Sequence, residues 1–103
     1  LIGVDVLFLE PAVREFEDAV SYYNGECPGL GFTFAGAVEK ALARIVAYPD
    51  AWHALSRRTR RCHVSGFPYG IVYQKRSDAI LVVAVMHMRR HPAHWRDRLP
   101  TSP

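Results

Sequence analysis

At 103 residues the chain has the size of one domain. Half of its residues are hydrophobic and 22% are charged, which excludes a fibrous or low-complexity protein. Its longest unbroken apolar run, Ala79 to Met86, is eight residues, far short of the about 20 that a membrane-spanning helix needs.

Charge is divided along the chain. Residues 1–56 carry three bases against eight acids, a net of −5, and residues 57–103 carry ten bases against two acids, a net of +8. A basic half of this strength suits a polyanion or an acidic protein surface. Leu1 to Leu9 lacks a basic n-region and is broken by Asp5, so no targeting signal is expected there. A cytoplasmic protein is expected. Cys27 and Cys62 form no C-x-x-C pattern and read as two unlinked thiols.

Val4 to Leu9 has strand composition, and its two apolar faces predict a well-covered strand. Glu10-Pro11 starts a helix, because proline is tolerated in the first turn. Val13, Phe16, Val20 and Tyr23 mark its apolar stripe, with Glu15, Glu17 and Asp18 off it. Asn24-Gly25 reads as its stop. Cys27-Pro28-Gly29 turns the chain into a second helix with Phe34, Val38, Leu42 and Ile45 on one side, ended by Tyr48-Pro49-Asp50. Two adjacent helices, each with one apolar stripe, require a sheet to lie on.

Ala51 to Ser56 reads as a connector, with Trp52 as a lid on the helix–sheet core. Cys62-His63-Val64 is a short strand that turns Cys62 and Val64 one way and Arg61 and His63 the other. The Gly66-Phe67-Pro68-Tyr69-Gly70 turn leads into Ile71 to Lys75, and Arg76-Ser77-Asp78 returns the chain into Ala79 to His87. That last strand is apolar on both faces, so it belongs in the middle of the sheet. Pro92 starts a short helix with Trp95 and Leu99 on a common side. The order β-α-α-β-β-β with a short C-terminal helix predicts an α+β fold: a helical hairpin on one face of a small, mostly antiparallel sheet. One domain is expected over residues 1–99, with 100–103 as a frayed tail.

This order resembles the RelE/ParE superfamily of bacterial toxins, the toxin halves of type II toxin–antitoxin modules, often labelled plasmid stabilization proteins. The likeness is carried by Pro11-Ala12-x-x-Glu15-Phe16, Phe67-Pro68-Tyr69-x-Ile71-Val72-Tyr73, Ile80 to His87, and His87-x-Arg89-Arg90-x-Pro92-x-x-Trp95-x-x-Arg98. It implies a growth-inhibiting toxin neutralised by a cognate antitoxin. It also implies one of two targets: the ribosome and its messenger RNA for the RelE-like branch, DNA gyrase for the ParE-like branch. The ribonuclease branch typically has an arginine where this chain has Gly70, and the His-x-Arg-Arg strand end is closer to the ParE-like group. The ParE-like reading is therefore the first expectation. A ribosome-dependent endoribonuclease and an inactive antitoxin-binding module are the alternatives.

Under the ribonuclease alternative, His87 is the acid/base candidate, with Arg89, Arg90 and Arg61 as phosphate ligands. For docking of target or antitoxin, the candidates are Arg57, Arg58, Arg60, Arg61, Tyr73, Arg89, Arg90, Trp95 and Arg98. Each has a plainer reading beside it. His87 can hold a backbone group at the sheet end, Tyr73 can be a core tyrosine, and Trp95 can pack with Leu99 on the sheet. His91-x-x-His94 has helical spacing but no carboxylate or cysteine close enough to complete a metal set, so neither metal nor cofactor is expected.

Overall fold

The computed structural model describes residues 4–90 and 92–99. The expected tail at 100–103, and His91, lie outside them. The chain runs β1 (Asp5–Phe8), α1 (Glu10–Glu26), α2 (Leu30–Ala47), β2 (His53–Ala54), β3 (Thr59–Val64), β4 (Tyr69–Lys75), β5 (Ala79–His87) and a C-terminal 3-10 helix (Pro92–Arg98). The strands form one open sheet in the order β1-β5-β4-β3-β2. β1 runs parallel to β5, and every other pair is antiparallel. This is the expected α+β arrangement, with one additional strand. His53–Ala54 pairs with Arg61 and Arg60 inside the segment read as a connector, and two residues are too few to show a period. Among the described residues no helix is long and apolar enough to cross a membrane.

α1 and α2 cover one face of the sheet. Phe34, Val38, Ala41 and Ile45 of α2 and Ala12 and Ala19 of α1 meet Cys62, Val64, Ile71, Tyr73, Ile80, Val82 and Val85. Burial pushes the Cys62 thiol up, against the opposing pull of Arg44, so it behaves as a small hydrophobe. Cys27 is exposed, and both thiols are free. On the opposite face Trp95, Leu99, Leu55 and Leu9 pack over Val72, Val83, Ala84 and Met86.

Three expectations need correction. β1 is an edge strand, not a covered one: Leu7 is 54% exposed and Val4 44%, because among the described residues only β5 pairs with it. The inward face of α1 follows Ala12, Glu15, Phe16 and Ala19, so Glu15 points inward while Val13 is exposed. Asn24-Gly25 does not stop α1, which continues to Glu26.

Asn24 acts on the neighbouring helix. Its Oδ1 accepts the Gly31 N–H at 2.7 Å, satisfying a donor that the first turn of α2 leaves without an intrahelical partner. The two helices approach closely here. A Cβ on Gly31 would lie 2.2 Å from the Val20 carbonyl oxygen and 2.6 Å from Asn24 Cγ.

A bulge in β5 decides which side chains face the helices. Val72 pairs with Ala84 but Tyr73 pairs with Val82, leaving Val83 as the extra residue. Ile80 and Val82 face the helices, and beyond the bulge Val85 does so instead of Ala84. His87 follows Val85 onto that side.

Gly31→Ala is expected to cost about 2 kcal/mol, since the neighbour it meets is backbone. Gly25 lies inside α1 with nothing within 4 Å of its Cβ direction, so Gly25→Ala is expected to gain about 0.5 kcal/mol. Urea denaturation of the two variants against the parent checks both signs.

Candidate functional site

The basic half of the chain is built around β5, and β5 is fixed by Glu15. Glu15 Oε1 accepts the Val85 N–H at 3.1 Å. Arg98 grips the same carboxylate with both arms, Nη1 to Oε1 at 2.7 Å and Nη2 to Oε2 at 2.8 Å. Arg98 Nη1 also donates to the Val83 carbonyl at 3.0 Å. His94 Nε2 lies 2.8 Å from Glu15 Oε2. Burial works to raise the Glu15 pKa, but Arg98, His94 and the Val85 N–H outweigh it and hold the carboxyl below its ordinary value. Side-chain exposure is 21% for Glu15 and 15% for Arg98, so the pair is built into the fold.

Sequence reading placed Glu15 on the solvent side and Arg98 among docking residues. The structure joins them and adds His94. The one signal for the pair was that Glu15 and Arg98 stand in the two end segments that carried the family likeness.

His87 lies at the end of β5 in a cleft of about 260 Å³, with Asp18 and Tyr22 of α1, Tyr69 of β4 and Arg90. The Tyr69 and His87 rings meet edge to face, with centroids 5.5 Å apart. His87 Nδ1 accepts the Arg89 N–H at 3.1 Å, so the neutral ring carries its proton on Nε2. The His87 carbonyl accepts the Arg90 N–H at 3.0 Å, and Met88 N–H donates to the Pro68 carbonyl at 2.8 Å. The strand end is held by backbone bonds while the Arg89 and Arg90 side chains are exposed.

Arg61 is elsewhere. It lines a slot of about 110 Å³ on the other face of the sheet, with Leu55, Val72, Met86, Met88 and Trp95 as an apolar floor and Arg90 and Arg96 at the rim. The Arg96 guanidinium carbon lies 5.4 Å from the Trp95 ring centroid. Gly70 faces the same side. A Cβ there would come within 2.8 Å of Arg61 Cδ and 3.0 Å of Met88 Sδ, so the Arg61 stem fills the space a side chain at 70 would take. Arg90 borders both the slot and the His87 cleft. The structure thus brings Arg90 to His87 but leaves Arg61 across the sheet.

Three further arginines gather at the far end of the sheet. Arg57, Arg58 and Arg60 line a cleft of about 270 Å³ with Asp50, Tyr73 and Lys75. Tyr73 is fully buried, and its hydroxyl donates to the Pro49 carbonyl at 2.6 Å. Burial pushes its pKa up to about 12, outweighing Arg60. Trp95 is 4% exposed and packs on the sheet. Tyr73, Trp95 and Arg98 are therefore engaged inside the fold, whereas Arg57, Arg58, Arg89 and Arg90 are exposed. Among the described residues no group of three or more His, Cys, Asp or Glu side chains is placed to hold a metal ion.

A helical hairpin on one face of a small, mostly antiparallel open sheet, with a cleft of mixed charge at one end and an arginine-lined cleft at the other, defines a two-layer α+β protein. A solved chain described as "Chromosomal ParDE TA system from P. aeruginosa" superposes with a TM-score of 0.70, covering 82% of this chain and 95% of that one at 10% identity. No curated protein matches the sequence. Residues 6–92 match the family described as "ParE toxin of type II toxin-antitoxin system, parDE". The chain belongs to this family of ParE toxins.

Glu15→Gln is expected to cost about 3 kcal/mol at neutral pH, because Arg98 is left largely buried without its counter-charge. A depressed carboxyl stabilises the fold above its unfolded pKa, and the gain is lost as pH falls through the folded value. Urea midpoints for parent and variant should therefore differ most near pH 7 and converge as acid protonates Glu15.

Proposed function

We propose that this ParE-family chain is the toxin of a type II module, that it acts in the cytoplasm by binding DNA gyrase, and that a cognate antitoxin holds it inactive. The observation that carries the reading is the separation of His87 from Arg61 by the sheet. Cleavage of RNA by its 2′-hydroxyl needs a base, an acid and cations gathered around one phosphorus. Here the imidazole stands on the helix side with Arg90 but also with the acids Glu15 and Asp18, Arg61 stands on the opposite side, and Gly70 supplies no cation. Exposed arginines around an apolar slot instead favour recognition of an acidic protein surface.

The antitoxin is expected to use the free side of β1. An edge strand with Val4 and Leu7 exposed offers unpaired backbone groups and apolar anchors, the two elements of strand addition. The basic half adds an electrostatic attraction that is screened by salt. The affinity of the pair is expected to fall as salt is raised, and titration calorimetry at low and high salt checks it.

Two assays on the purified chain test the target. Supercoiling by gyrase should be inhibited, while the message in cell-free bacterial translation stays intact. His87→Ala should inhibit gyrase as the parent does. New 5′ ends at ribosome-occupied codons, lost in His87→Ala, together with unimpaired supercoiling, would replace this reading with the ribonuclease one.

A further inference from the structure

The cleft at the Lys75 end of β4 differs chemically from the other two. Of its six described lining residues four are cations, Arg57, Arg58, Arg60 and Lys75, and one is an acid. That acid is already engaged, since Asp50 Oδ2 lies 3.2 Å from Lys75 Nζ. Among the described residues the three arginines make no ion pair. Arg60 is oriented by the Trp52 carbonyl, to which its Nη1 donates at 2.8 Å. The rest of its N–H fork remains available. Arg57 and Arg58 are exposed on the bend before β3.

Among the described residues the lining offers no apolar socket. Its one aromatic residue, Tyr73, is fully buried with its hydroxyl spent on Pro49. A docking protein segment draws most of its affinity from side chains seated in apolar pockets, with charges around them. The slot beneath Arg61 and Arg96 offers such a seat, and this cleft does not. A phosphodiester needs only charge and forked N–H donors.

We propose that this cleft binds the phosphodiester backbone of a nucleic acid without reading its sequence. It lies at the opposite end of β4 from the His87 cleft, about 20 Å along the strand. A protein seated at one end leaves the other open to nucleic acid. The inference stands apart from the gyrase reading, because it concerns a contact made without that enzyme.

Anisotropy of a labelled duplex DNA and of a labelled single-stranded RNA with equal phosphate number, titrated with the purified chain across a salt series, tests it. The duplex should give a slope of log affinity against log salt of about −3, one phosphate for each arginine. Arg57→Ala/Arg58→Ala should weaken low-salt binding about tenfold or more and reduce the slope by about 2. Arg14→Ala/Lys40→Ala, which removes equal charge from the exposed sides of the helices, should bind as the parent does. Tighter capture of the duplex identifies DNA as the source of the phosphates, and tighter capture of the single strand identifies RNA. Unchanged binding by the first pair, an equal loss from the second, or equal competition by an acidic peptide of the same charge overturns the proposal.

Discussion

A carboxylate from the first helix and a guanidinium from the last turn complete the sheet where its edge strand stops. β1 accompanies β5 only as far as Phe8 opposite Val82, and Leu9 N–H takes the Val82 carbonyl. The chain then leaves for α1, and beyond that point β5 keeps β4 on one side but has no strand on the other among the described residues. A buried backbone group without a partner costs about 1–3 kcal/mol. Glu15 takes the Val85 N–H and Arg98 takes the Val83 carbonyl, so one ion pair stands in for the absent length of strand. The same contact pins the 3-10 helix and lays Trp95 over Val72, Val83 and Met86. Helix position, sheet edge and the second core all depend on it.

Most of the fold was legible in the chain because each signal was local. Phe34, Val38 and Ile45 repeat at helical spacing, and the alternation around Cys62 and Val64 separates core from surface. The apolar run of β5 places it inside the sheet. What that run could not show was its bulge. Ile80 to Met86 is apolar at every position, so either register buries the same kind of side chain. A one-residue slip exchanges the faces, and nothing in the composition opposes it. The face taken by His87 was therefore hidden until the pairing with β4 was known.

The site residues divide along the same line. A run of arginines that leads into β3 announces a basic surface, but adjacent residues on a strand point to opposite faces. Arg60 and Arg61 accordingly serve different clefts. Glu15 was missed for a related reason. An acid in the first half of a helix fits the helix dipole and solvent equally well, and its true partner lies 83 residues away. Pairings at that separation leave no trace in local spacing. Tyr73 and Trp95 allowed both a contact and a core reading by type, and their burial, a property of the assembled core, decides for the core.

The parallel pairing of β1 with β5 has a consequence for how the chain assembles. The first described strand must find its partner across the whole helical hairpin and three intervening strands, a loop of roughly seventy residues. Closing such a loop costs entropy before any contact repays it, so topologies of this kind fold slowly. During synthesis β1 is made about seventy residues before β5. Throughout that interval β1 has neither edge paired. The nascent chain thus carries a bare strand before it can complete its own sheet.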